Sequence, residues 1–170
     1  MNTNKEIVAL CCGKLDTKKP ETDLVIIGSN TNLLVYDCAN NADVFDREIN
    51  DGLASLAVCD TGALPEVDEP TVVIGGNSSI SAVDFGGDER YWTVSGGVVN
   101  SLQFLDYDVD GTDEMLVGSD DSSIRVLKGE RAIFEVAEKA PVRSLAKIDK
   151  RSFAFRLGNG AFGVYSERKR

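Results

Sequence analysis

The sequence predicts an all-β chain built from about four consecutive antiparallel sheets. Three observations carry this. Apolar runs ending in glycine and small polar residues recur at Gly28, Gly75, Gly118 and Gly158, spaced 47, 43 and 40 residues apart. Each is followed by a stretch of strict apolar and polar alternation, the period of a half-buried strand. No segment shows the i, i+3, i+4, i+7 spacing of a helix over three turns. A repeat of 40 to 50 residues with four strands per unit is the signature of β-propeller blades.

The strands follow in order. The first repeat begins with the apolar stretch 7–12, continues through the anchor segment 23–30 and the alternating run 32–36, and ends at 44–49. The second repeat has 53–58, 70–77, 79–83 and 90–94, and the third has 99–104, 114–120, 123–127 and 132–136. The fourth has 142–147, 153–160 and 161–165, and no outer strand follows. First strands of the last three repeats share a serine-leucine step at Ser55-Leu56, Ser101-Leu102 and Ser144-Leu145. The anchor glycines and the Ser, Asn and Asp residues behind them read as turn residues, supplying positive φ or side-chain caps between second and third strands. Together these give a partial propeller over 1–170, with blades of about 7–51, 53–97, 99–140 and 142–170. Because rings of blades usually number four to eight, the chain reads as part of a longer propeller.

Composition removes several function classes. The chain has 18 Lys and Arg against 28 Asp and Glu, a net charge of −10, which repels nucleic acid and anionic lipid. Histidine is absent, so the commonest general base, Ser/His and Cys/His nucleophile pairs and most catalytic zinc sites are missing. No constellation of catalytic groups stands out, and the chain is expected not to be an enzyme. Without an apolar run of membrane-span length or a leading secretory stretch, it is expected in a reducing intracellular compartment. Cys11 and Cys59 lie in apolar stretches and are expected as buried thiols. Tyr91 and Trp92 are expected mainly in core or interblade positions. The basic cluster 167–170 is too short for a nucleic-acid or membrane site.

One segment has chemical definition. Residues 106–114 read D-x-D-x-D-G-x-x-E, between the first and second strands of the third repeat. Alternate carboxylates on a tight loop converge on one point, and a hard cation such as Ca2+ takes six to eight oxygens there. Side chains of Asp106, Asp108, Asp110 and Glu114 with the carbonyl of Thr112 form the predicted set, and Gly111 permits the turn. Position twelve from Asp106 is Val117 rather than glutamate, so the loop is not an EF-hand. Asp106, Asp108, Asp110, Asp113, Glu114, Asp120 and Asp121 put seven acids into 106–121 without a Lys or Arg, a density that favours a bound cation. The corresponding loops at 14–19 and 60–65 lack the pattern, so one structural site is predicted.

Residues 23–37 and 39–43, then 73–77, 91–96, 99–102, 106–119 and 124–126, and finally 157–160 with 163–165 resemble, in collinear order, the amino-terminal propeller of the Bardet-Biedl syndrome 2 family. Gly-His and Trp-Asp pairs, which would mark a generic WD repeat, are absent. The resemblance implies a subunit of the BBSome, a coat-like complex that moves membrane proteins into and out of cilia. It further implies a non-catalytic interaction scaffold in cytoplasm, cilium and basal body. Its implied partners are sister subunits, the Bardet-Biedl syndrome 7 and 9 proteins, and the cytosolic tails of ciliary membrane proteins. It also implies that one family blade lies upstream of Met1. A calcium-dependent extracellular propeller of the integrin kind is the alternative that the acidic loop would also suit. A hydrolase on a propeller ranks third.

Overall fold

The computed structural model describes residues 5–60 and 62–166. They form fifteen strands in four antiparallel meanders. The first sheet contains β1 (Ile7–Gly13), β2 (Leu24–Ser29), β3 (Asn32–Asp37) and β4 (Ala42–Glu48). The second contains β5 (Ser55–Cys59), β6 (Thr71–Gly75), β7 (Ser79–Val83) and β8 (Glu89–Val94). The third contains β9 (Val99–Leu105), β10 (Glu114–Ser119), β11 (Ser123–Lys128) and β12 (Arg131–Ala137). Three strands make the last sheet: β13 (Val142–Asp149), β14 (Ser152–Leu157) and β15 (Phe162–Ser166). The all-β expectation, with an incomplete last blade, matches this architecture. The cluster 167–170 lies outside the described residues.

First strands of successive sheets pack together, β1 on β5, β5 on β9 and β9 on β13, so the sheets fan out like blades from a common inner edge. The row is open, with no comparable packing of β13 back onto β1 among the described residues. Burial follows from that. β6 and β10, each between two neighbouring sheets, are buried along their whole length, whereas β2 alternates. At the open ends Leu10 on β1 and Phe162 and Val164 on β15 are exposed, because no neighbouring sheet covers their faces.

Three apolar layers fill the gaps between sheets. Ile26, Leu33 and Val35 meet Leu53, Val72 and Ile74 in the first gap. Val73, Ile80 and Ala82 meet Val99, Leu102 and Met115 in the second. Leu116, Ile124 and Val126 meet Val142, Leu145 and Phe153 in the third. An aromatic group locks the last sheet in place. The Tyr165 ring lies 5.6 Å from Phe134 and from Phe153, and its hydroxyl donates to Glu138 Oε1 at 2.5 Å.

Gly158 lies in the turn after β14 as its position suggests, but the other three anchor glycines serve a different purpose. Gly28, Gly75 and Gly118 all lie inside strands, and none is among the positive-φ residues. A Cβ at Gly28 would sit 2.3 Å from Leu53 Cδ2, at Gly75 2.6 Å from Val99 Cγ1, and at Gly118 2.6 Å from Val142 Cγ1. In each case an obstructing residue belongs to the entry of the next sheet, and at Gly75 the Ser55 Oγ of its own sheet is nearer still, 2.3 Å away. These glycines allow close approach of the following blade, and the hairpins turn by other means. Ser122 takes positive φ between β10 and β11, while Asp51 and Asp121 carboxylates cap the starts of β7 and β11.

The recurring serine has a matching role. Ser55 Oγ donates to the Val99 carbonyl at 2.6 Å, and Ser101 Oγ accepts from Leu145 N–H at 3.0 Å, each bond crossing to the next sheet's first strand.

Tyr91 is buried as expected, whereas Trp92 is 56% exposed at the gap between the first and second sheets, an interblade position and not a core one. Adjacent strand residues face opposite sides of a sheet, and β8 is an outermost strand, so only one of the pair reaches the interior. Cys59 is buried and Cys11 half-buried, with burial pushing their thiols up to about 12 and about 11. All four cysteines are free.

Gly75→Ala is expected to destabilise the fold by about 1–3 kcal/mol, the usual cost of forcing a methyl group into a filled contact. Urea unfolding followed by circular dichroism measures this. A change under about 0.5 kcal/mol, the range of an ordinary surface substitution, would refute the close-approach role.

Candidate metal centre

The D-x-D-x-D-G-x-x-E segment forms the loop between β9 and β10. The strand register defines its two ends. Leu105 pairs with Glu114, so Asp106 leaves β9 beside the residue that opens β10. Their side chains are buried while Asp108 and Asp110 point outward. Val109 and Gly111 both adopt positive φ, and this double reversal folds the loop back over its own carboxylates.

Asp106, Asp108 and Glu114 each bring a carboxylate oxygen within 4.8 Å of the others, a group able to hold a metal ion. Asp110 and Thr112 stand outside that trio. Backbone amides organise the loop: Asp106 Oδ1 accepts from Gly111 N–H at 3.2 Å, and Asp108 Oδ1 from Asp110 N–H at 3.2 Å. Asp110 Oδ1 accepts from Thr112 N–H at 2.9 Å. Glu114 Oε2 accepts from Tyr107 N–H at 2.8 Å. The other oxygen, Glu114 Oε1, is buried and faces the Lys128 ammonium 3.1 Å away. A buried carboxylate oxygen is costly unless a positive charge lies close to it.

Two lysines from outside the acidic segment supply charge. Lys128 Nζ is 3.1 Å from Glu114 Oε1 and 2.5 Å from Asp108 Oδ2, and also contacts Asp110 Oδ2. Lys150 Nζ donates to Asp106 Oδ2 at 2.8 Å. Lys150 holds the Asp106 carboxyl below its ordinary value, and Lys128 does the same for Asp110. The carboxylates in turn raise both lysines.

Sequence reasoning treated the segment as uncompensated and missed both cations. Lys128 was within reach of a register argument. Gly118 pairs with Ile124 and Met115 with Leu127, so continuing the same hairpin sets Lys128 opposite Glu114. Lys150 comes from the turn between β13 and β14 of the next sheet, and no local pattern points to it.

Two family descriptions match the chain: ciliary BBSome complex subunit 2, N-terminal, over residues 1–59, and the middle region of the same subunit over residues 101–170. BBSome complex member BBS2 of Danio rerio is 38% identical over 170 residues, covering 100% of this chain, which spans 23% of that relative's length. Among solved structures, the computationally designed Ika4 protein superposes with a TM-score of 0.73 at 16% identity, covering 97% of this chain and 93% of the other. The WD40 beta propeller domain of Doa1 superposes with a TM-score of 0.68 at 15% identity, covering 94% and 50%. At such identities the superpositions speak to the fold, which is that of an incomplete β-propeller. The family matches at both ends and the collinear identity along the whole chain place it in a lineage: the chain belongs to the ciliary BBSome complex subunit 2 family, matching its N-terminal and middle regions.

Proposed function

We propose that the chain is a non-catalytic interaction scaffold within a BBSome subunit that takes part in moving membrane proteins to and from cilia. Family membership is the observation that carries this reading. The fold agrees with it physically, since rigid blades present loops and outer strands at defined positions, as docking surfaces require. The finer partners are the Bardet-Biedl syndrome 7 and 9 proteins and cytosolic tails of ciliary membrane proteins, and the place of action is cytoplasm, cilium and basal body. The partial propeller over 1–170 acts as one structural unit.

The acidic loop serves as a Ca2+ site in this proposal, with Asp106, Asp108, Asp110, the Thr112 carbonyl and Glu114 as the oxygen donors. Support comes from the trio of carboxylates, two of which are buried. An all-oxygen, carboxylate-rich set suits a hard cation. Lys128 occupies the same electrostatic niche, so ammonium and metal compete for it. The ion's role is structural, tying the β9–β10 loop to the strands it joins.

Affinity purification of the subunit from ciliated cells, with mass spectrometry after a salt wash, is expected to recover the other BBSome subunits in comparable amounts. Recovery of none of them would overturn the scaffold reading. Calcium is expected to raise the melting temperature relative to chelator, and Asp108→Ala to abolish that shift. Because one opposing charge leaves, Lys128→Ala is expected to tighten calcium binding by on the order of tenfold in titration calorimetry. Unchanged affinity would show that the ammonium does not compete.

The acid dependence has a defined sign. The folded-state pKa values of Asp106 and Asp110 lie below the ordinary 3.8, so their contribution is complete above that value and is lost as pH falls through the depressed range. Melting temperature is therefore expected to hold between pH 7 and 5 as far as these groups act, and to fall below about pH 4. In the double variant Asp106→Asn, Asp110→Asn this acid limb should be shallower.

A further inference from the structure

We propose that the groove between the first and second sheets docks an arginine side chain presented by a partner protein. The proposal rests on the scaffold reading above and names the chemistry of one partner contact. The groove has a volume of about 310 Å3 and is lined by Arg47, Asp51, Ser79, Ser81, Glu89 and Trp92 among others.

The chain itself shows what such a groove accepts, because the position one blade further on is filled from within. Ser81 on β7 pairs with Trp92 on β8, and Arg125 on β11 pairs with Glu135 on β12 at the corresponding place. The third strands of these two sheets both start with a serine and an isoleucine, Ser79-Ile80 and Ser123-Ile124, and both starts are capped by a carboxylate. Asp51 Oδ2 accepts from Ser78 N–H at 2.9 Å and Ser79 Oγ at 2.7 Å, while Asp121 Oδ1 accepts from Ser123 N–H at 3.0 Å and Ser123 Oγ at 2.8 Å. In the third sheet the guanidinium of Arg125 spans the gap, with Nη2 2.8 Å from Asp121 Oδ2 and Nε 2.8 Å from Glu135 Oε1. In the second sheet the capping carboxylate comes instead from the β4–β5 connection, Asp51 Oδ1 also accepting from Ser78 Oγ at 3.0 Å, and only the short Ser81 stands where Arg125 would.

Other features of the groove select the same ligand. The Trp92 ring, 56% exposed, replaces Glu135 with an aromatic face. A guanidinium stacks on such a face and hydrogen-bonds a carboxylate in its own plane, which a lysine ammonium cannot do together. The lining charges are Glu48, Asp51 and Glu89 against Arg47, in a chain of net charge −10, so an anionic ligand is disfavoured. Arg47 does not fill the space itself. Its guanidinium donates to the Gly87 carbonyl and lies 3.9 Å from Glu89 Oε2.

Trp92 is the sole tryptophan of the 170-residue chain, so its emission reports directly on the groove. An octapeptide of glycine and serine with one central arginine is titrated at low salt, beside the same peptide with glutamate in that position. A saturable change with the arginine peptide and none with the glutamate peptide is expected. Ser81→Arg, checked for folding by its thermal melt, supplies an internal guanidinium and is expected to weaken binding at least about tenfold. No saturable response up to about 10 mM, an equal response to glutamate, or undiminished binding by Ser81→Arg would each overturn the proposal. Recovery of BBSome subunits is read separately: a silent groove in a chain that still assembles would remove this contact and leave the scaffold reading standing.

Discussion

The structure depends on how closely each sheet approaches the one before it. Second strands carry glycine where the next sheet's first strand crosses, and the facing Leu53, Val99 and Val142 occupy the space a Cβ would need. That contact sets the distance between sheets, and the apolar layers are cut to fit it. Serine bonds from Ser55 and Ser101 run along the same seam, so adjacent inner strands are held by both packing and polar contact. Each layer is shared by two sheets, which explains why the interior strands β6 and β10 lose all solvent contact while the two terminal sheets keep one apolar face open.

Within this frame the acidic loop is an electrostatic problem placed at a rigid site. The pairing of Leu105 with Glu114 forces Asp106 and Glu114 side by side beneath the loop, where neither is hydrated enough to carry its charge cheaply. The fold answers with Lys128 from the same hairpin and Lys150 from the next sheet. Such a site can exchange one kind of positive charge for another, because what it requires is charge at that point and not a particular donor.

The same economy separates the two outer grooves. Where Arg125 joins Asp121 to Glu135, the gap between second and third sheets narrows to a cavity of about 100 Å3, and strong hydrogen bonding holds the Asp121 carboxyl well below its ordinary range despite burial. Where serine and tryptophan replace arginine and glutamate, the gap between first and second sheets stays open.

By itself the sequence determined the local features: strand positions, four repeats, an incomplete last blade, the acidic loop and the family resemblance. These follow from periodicity and short motifs, which act over a few residues. It also showed that glycine and serine recur without showing why, since the atoms they accommodate lie more than twenty residues away in the next sheet. Only the tertiary structure decided that Gly28, Gly75 and Gly118 make room rather than turn the chain, that Lys128 and Lys150 neutralise the loop, and that Trp92 faces solvent while Tyr91 does not. Each depends on which strand lies beside which, and on whether a neighbouring sheet covers a given face. Alternation assigns residues to two faces, but it does not say what stands opposite either one.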